Sequence, residues 1–173
     1  MRLEYSLRVL NEMEAAGVIG KYAIGGAVAA FLYIEPGTTF DLDAFIAWEP
    51  GASGLLDLSP IYDYLRARGY EPQREGVMIE GWEVQFLPSG TPLEKEALDE
   101  AVSIEIGGVP TRIFTREHLM AISLQTGRPK DFARLVAFVQ EGRPNDATLH
   151  EILRRHQLEA KWQQFRSRYL TAP

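Results

Sequence analysis

The sequence predicts an α+β (α/β-type) protein: a small mixed β-sheet, helices packed on it, and a helical C-terminal extension. Residues 1–115 form the core, and 116–173 form an extension of the same compact unit. Three observations carry the prediction. Short apolar runs bounded by glycine and proline recur as far as Phe114, which is the pattern of strands and turns. Beyond Thr115 the apolar residues fall at helical spacing instead. The 173 residues are 46% hydrophobic and 24% charged, proportions that suit one folded domain with a substantial core and argue against two independent ones.

In order, Leu3, Leu7, Leu10 and Met13, with Val18 beyond, mark an amphipathic helix ended by Gly17. Tyr22-Ala23-Ile24 reads as a short buried strand, Gly25-Gly26 as a tight turn, and Ala27 to Tyr33 as a small-residue helix broken by Glu35-Pro36-Gly37-Thr38. Phe40 to Trp48 alternates as a second strand, and the stretch from Glu49 through Gly54 reads as a flexible loop. Ser59-Pro60 supplies a capping hydroxyl and a first-turn proline for a helix carrying Ile61, Tyr64 and Leu65, stopped by Gly69. Val77-Met78-Ile79 and Trp82 to Leu87 flank Glu80-Gly81 as a hairpin, and Val102–Ile106 and Val109–Phe114 flank Gly107-Gly108 as another. Thr115 caps a helix with Leu119, Ile122 and Leu124, and Asp131 to Val139 forms the next, with Phe132, Leu135, Val136 and Val139 inward. A last helix, capped by Asn145 or Asp146, carries Leu149, Ile152, Leu153, His156, Trp162, Phe165 and Tyr169 along one stripe. No internal repeat or low-complexity segment is present.

Composition narrows the function. A net charge of −6 opposes broad attraction to nucleic acid, although a local basic surface is compatible with it. The absence of cysteine excludes disulfides and thiolate metal sites and fits a reducing cytosol. The N-terminus Met1-Arg2-Leu3-Glu4-Tyr5 lacks a secretory pattern, and no run approaches the roughly 20 apolar residues that span a bilayer. A cytoplasmic protein with no membrane partner is expected.

The chemistry concentrates where Ile24-Gly25-Gly26-Ala27 is followed by Thr39-Phe40-Asp41-Leu42-Asp43. On a strand, Asp41 and Asp43 share one face with Cα atoms about 7 Å apart. Two carboxylates that close call for a cation, and magnesium is held by one or two carboxylates together with substrate phosphate oxygens. A lone Asp-x-Asp is more often a solvent-facing strand, with Leu42, Ala44 and Ile46 turned inward; the glycine turn upstream shifts the reading toward phosphate. Glycines without side chains let backbone N–H groups approach phosphate oxygens, and the helix starting near Ala27 directs its positive end the same way.

Gly25-Gly26, Thr39, Asp41-Leu42-Asp43, a hairpin, and then Arg128-Pro129-Lys130-Asp131 in a helical C-terminal part follow one another in an order that resembles the nucleotidyltransferase superfamily. The closest likeness is to abortive-infection (AbiEii-like) and related small nucleotidyltransferase-like bacterial proteins. The likeness runs from about Tyr22 to Val139. It implies a nucleotidyltransferase fold in which Gly25, Gly26 and Thr39 meet a nucleoside triphosphate, Asp41 and Asp43 ligate Mg2+ or Mn2+, and Arg128 and Lys130 contact the triphosphate. The implied reaction moves a nucleoside monophosphate from an NTP to a hydroxyl on RNA, protein or a small molecule.

The chain departs from the pattern at several points. Active members bring a third carboxylate from a later strand, where this chain reads Val84-Gln85-Phe86-Leu87-Pro88. Gln85 can ligate weakly through its amide oxygen but cannot act as a general base. Glu83, two residues earlier on the same face, is the candidate substitute. Gly37, Phe40 and Ser123 stand where relatives place basic residues. These losses support a rival reading: a non-catalytic nucleotide- or partner-binding protein, one half of a toxin–antitoxin-type pair with an antitoxin-like protein partner. His118, His150 and His156 have no metal-ligand spacing and read as structural, and Ser53 and Ser89 lack a base partner. Arg154, Arg155, Lys161, Arg166 and Arg168 outnumber Glu151 and Glu159 in the terminal helix, where a solvated face is favoured over an RNA or acidic-protein surface.

Overall fold

The computed structural model describes residues 2–47, 57–73 and 76–170. The expected loop from Glu49 through Gly54 lies outside them. The chain opens with α1 (Leu3–Ala15), whose Leu7, Leu10 and Met13 are fully buried. Then come β1 (Tyr22–Ile24), α2 (Gly26–Ala30), β2 (Asp41–Ile46) and α3 (Ser59–Arg66), followed by β3 (Pro72–Gln73), β4 (Gly76–Ile79) and β5 (Trp82–Pro88). After these lie α4 (Pro92–Asp99), β6 (Val102–Ile106), β7 (Val109–Ile113), α5 (Arg116–Thr126), α6 (Pro129–Gln140), α7 (Asp146–Arg155) and α8 (Glu159–Tyr169).

The seven strands form one mixed sheet in the order β3-β4-β5-β2-β1-β7-β6. The pairs β2–β5 and β1–β7 are parallel, and β1–β2, β3–β4, β4–β5 and β6–β7 are antiparallel. The hairpin turns lie where expected. Glu80 (φ 52) with Gly81 (φ 92), and Gly107 (φ 56) with Gly108 (φ 75), adopt the paired positive φ angles of a two-residue turn that matches strand twist. Along β2 the side chains divide by the two-residue period: Leu42 and Ala44 are completely buried, whereas Asp41, Asp43 and Phe45 line a cleft on the opposite face.

Several sequence expectations change at the level of elements; among them, α6 starts two residues earlier, at Pro129, and β3 was not expected. The helix after the glycine turn stops at Ala30 rather than Tyr33, because the next amides bond three residues back (Leu32 to Ala29, 3.2 Å; Tyr33 to Ala30, 2.9 Å) and the Tyr33 hydroxyl is drawn to the Phe114 carbonyl at 3.2 Å. Strand β2 begins at Asp41 and ends at Ile46. Ser59 is the first residue of α3 and not its cap; its N–H donates to the Asp57 carboxylate at 2.9 Å. Helix α4 was not anticipated, although Thr91 and Glu94 form a reciprocal capping box at its start. The expected single last helix is two, because Gln157 takes φ 58 and the Leu158 N–H bonds back to Leu153 at 2.8 Å. Asn145 does cap α7, accepting from the Thr148 N–H at 3.2 Å.

Candidate active site

The turn from β1 to α2 builds the floor of the site, and its two glycines have different tasks. Gly25 donates its N–H to the Asp43 carbonyl at 3.0 Å, which continues the β1–β2 ladder, so that donor is not available to a ligand. A Cβ there would approach the Phe45 ring to 2.5 Å, and Phe45 packs on Phe114 with ring centroids 4.7 Å apart. Gly25 is therefore fixed by packing. Gly26 has φ +58, and a Cβ on it would overlap Asp43 Oδ2. The bare backbone of Gly26 thus abuts the Asp43 carboxylate, and Gly26 and Ala27 form part of the cleft wall.

This cleft, about 870 Å³ in volume, gathers residues from β2, β5 and the segment before β2, and from α2, α4, α5 and α6. The sheet supplies Asp41, Asp43 and Gln85, and the segment before β2 supplies Thr39 and Phe40. Thr39 Oγ1 lies 3.4 Å from the Asp41 N–H. Helix α4 contributes Glu94, α5 contributes Ser123 and Thr126, and the start of α6 contributes Arg128, Lys130, Asp131 and Arg134. Residues far apart in sequence thus meet, with Asp41 and Asp43 on the sheet and the cations at the start of α6.

The β2–β5 register pairs Asp43 with Gln85 and Asp41 with Glu83. Gln85 therefore occupies the strand position beside Asp43, on the same face. Glu83 shares that face but does not line the cleft, and its Cγ lies against Gly76, 3.2 Å from where a Cβ there would be. Asp41 is exposed and Asp43 half-buried. Among the described residues no group donates a hydrogen bond to the Asp43 carboxylate. Burial pushes its pKa above the ordinary carboxylate range; Arg134 opposes this, the Asp41 charge adds to it, and Lys130 and Arg128 oppose it more weakly. A half-buried carboxylate without donors, beside a second carboxylate and an amide oxygen, is a donor set that suits a hard divalent cation.

The basic residues sort unequally. Arg128 is turned onto Asp131, with Nε 2.7 Å and Nη2 3.2 Å from the carboxylate, and its N–H donates to the same group. This fork fixes the start of α6, and Asp131 is 1% exposed. Lys130 is exposed. Arg134, one turn further along α6, faces Asp43 and was not singled out from the sequence. Its signal would have been the i, i+4 spacing from Lys130, which puts both on one helix face.

A second polar cluster lies away from this cleft. Glu96, Glu100 and His118 bring ligand atoms within 4.8 Å of one another, close enough to hold a metal ion. The histidines, unremarkable by spacing in sequence, thus converge through the fold. Both Glu96 oxygens are already engaged: Arg155 Nη2 at 2.7 Å and His118 Nε2 at 3.3 Å on one, His156 Nε2 at 2.8 Å and Arg155 Nε at 3.1 Å on the other. Partial burial alone would raise the Glu96 pKa, but the hydrogen bonds from Arg155, His156 and His118 bring it down to about 2. The cluster ties α4 to α5 and α7. Of the other terminal-helix cations, Lys161 donates to the Gln125 carbonyl at 2.7 Å, so this face is partly committed to packing.

Among solved structures, the chain is similar to an antigenic nucleotidyltransferase-like protein from Paracoccidioides brasiliensis, with 16% identity over 95% of this chain and 91% of that one and a TM-score of 0.55. The chain has a nucleotidyltransferase-like fold. Similarity is also found to ANT(2")-Ia in complex with adenylyl-2"-tobramycin (16% identity, 95% and 98% coverage, TM-score 0.46). The solution structure of the antibiotic-resistance factor ANT(2'')-Ia gives 17% identity, 97% and 94% coverage and a TM-score of 0.47. No family model and no curated protein matches the sequence. Among the described residues no helix is long and apolar enough to cross a membrane.

Proposed function

We propose that the protein is a metal-dependent nucleotidyltransferase that binds an NTP in the cleft between β2 and α6 and transfers the NMP to a hydroxyl acceptor. One observation carries the reading: the undonated Asp43 carboxylate sits beside Asp41, against the bare Gly26 backbone, facing cations from α6 across the cleft. Asp41 and Asp43 would hold Mg2+ or Mn2+, which would supply positive charge to offset that of the phosphates. Gly26 and Ala27 leave room for the phosphates to approach the backbone. Lys130 offers a mobile charge to the triphosphate, while Arg128 acts through Asp131 by holding the first turn of α6 in place. Glu83, paired in register with Asp41, is the acid that would serve that end of the pair, and Thr39 orders the backbone where β2 begins.

The reading predicts that a label in the α-phosphate of some NTP passes to an acceptor, whether RNA, protein or small molecule, and that Asp43→Ala abolishes this transfer. Removing an essential metal-binding carboxylate should lower turnover by about two orders of magnitude or more. Transfer unaffected by Asp43→Ala would defeat the proposal.

A second reading rests on Gln85. An amide beside Asp43 leaves the strand face without a third carboxylate, which suits nucleotide binding without transfer, or a role in binding a protein partner of antitoxin type. Calorimetry with Mg2+ and each NTP separates the two: metal-dependent binding with no label transferred favours the second reading.

A further inference from the structure

On the reading that the cleft holds metal and nucleotide, we propose that Arg134 is the resident counter-ion of Asp43 and the main phosphate-binding side chain. It gives up the carboxylate for a phosphate oxygen when a divalent cation arrives. The argument starts from what is left unmatched. The Arg134 side chain is 18% exposed, compared with 56% for Arg128. A guanidinium carries five N–H donors in a rigid plane and remains charged, so withdrawing it from water calls for acceptors. Its nearest carboxylate is Asp131, 3.9 Å away, beyond hydrogen-bond reach. Among the described residues the Arg134 guanidinium donates no hydrogen bond. Asp131 does not remedy this, because Arg128 already occupies both of its oxygens.

Across the cleft the Asp43 carboxylate is the mirror case, an acceptor pair without donors. Arg134 is the strongest favourable charge acting on Asp43, while on Arg134 the Asp43 charge comes second to that of Asp131, whose oxygens Arg128 already holds. The two charges offset each other, and the Asp41–Asp43 repulsion, without making a hydrogen bond. This arrangement leaves donors on one wall and acceptors on the other. A cation bound to a polyphosphate satisfies both, with the cation on the aspartates and phosphate oxygens on the Arg134 fork, the planar geometry for which arginine is suited.

Competition and cooperation then have opposite signs. A lone cation must displace Arg134 from the field of Asp43, whereas a polyphosphate uses Arg134. Removing the guanidinium should therefore strengthen binding of the bare cation while weakening binding of the anion. An arginine that merely supports α6 would not produce this split.

The test titrates the full chain with Mn2+ alone, followed by electron paramagnetic resonance, and with inorganic tripolyphosphate in Mg2+, followed by calorimetry. Arg134→Gln should bind Mn2+ about threefold more tightly or better and lose about tenfold or more in tripolyphosphate affinity. Arg134→Lys, which keeps the charge and provides a check should the glutamine variant fail to fold, should hold the wild-type Mn2+ affinity and still bind tripolyphosphate more weakly. Unchanged or weaker Mn2+ binding in Arg134→Gln, or tripolyphosphate binding insensitive to both variants, would overturn the inference. Asp43→Asn separates this failure from that of the site itself. If Asp43→Asn loses Mn2+ binding and the Arg134 variants change neither affinity, the assignment of Arg134 fails and the metal site stands. If Asp43→Asn binds Mn2+ as the wild type does, the site reading fails and the inference with it.

Discussion

Gln85 is paired in register with Asp43, where a carboxylate would complete an acidic cluster, so its identity sets how much positive charge the cleft can hold. Replacing it restores the missing charge on an existing strand face. Gln85→Asp should tighten Mn2+ binding by about tenfold, one charge-assisted ligand's worth, measurable in the same titration; an unchanged affinity would mean that this face does not meet the ion. Gly26 offers the complementary test. Its left-handed backbone (φ +58) and its contact with Asp43 both oppose a side chain, so Gly26→Ala should cost about 1–3 kcal/mol of stability in denaturant unfolding. The same variant should displace the Asp43 carboxylate and weaken Mn2+ binding. At this scale the sequence was informative about the acids and glycines, because adjacency and a two-residue period are visible in one dimension. It was silent about which arginine is left free to act in the cleft: Arg128 lies in the conspicuous motif but is turned onto Asp131, while Arg134 is placed there by α6, which packs on α5.

Among elements, legibility followed the strength of local signals. The hairpin around Gly107-Gly108 was readable because positive φ has few alternatives, and α5 because Thr115 accepts the His118 N–H at 3.3 Å. The break between α7 and α8 was not readable: Gln157 adopts φ 58 without glycine or proline, so tertiary contacts overrode an unbroken apolar stripe. Helix α4 was missed for a related reason. Its eight residues are short and charge-rich, and their placement depends on the ionic cluster at Glu96 as well as on Leu93, Ala97 and Leu98. That cluster gives α4 a pH-dependent attachment. The Glu96 pKa is depressed from 4.5 to about 2, so its contribution is present in full above pH 4.5 and is lost as pH falls toward 2. Glu96→Gln should therefore lower stability by about 1–3 kcal/mol at neutral pH. The difference from wild type should shrink through that acid window, as read by denaturant midpoints at successive pH values. A deficit independent of pH would mean that packing, rather than charge, holds the helix.

For the molecule as a whole, the class of fold was legible because strands, turns and helices each left a distinct periodicity, whereas the sheet order was not. Nothing local tells β5 to lie parallel beside β2 after α3, β3 and β4 have intervened, nor β7 to lie parallel beside β1. That order nevertheless makes the floor of the cleft, since it seats Gln85 next to Asp43. It also gives β2 a neighbour along each edge, β1 on one side and β5 on the other. The backbone beneath the two aspartates can reach solvent deuterium only when the middle of the sheet separates. Amides of Leu42 to Phe45 should thus be among the slowest to exchange and should report global unfolding. Those at the start of α6, at a helix end although held by the Arg128–Asp131 fork, should exchange faster than the middle of the sheet. The acidic wall would then be the fixed partner and the basic wall the one that adjusts, so any closure around a ligand falls to the helix.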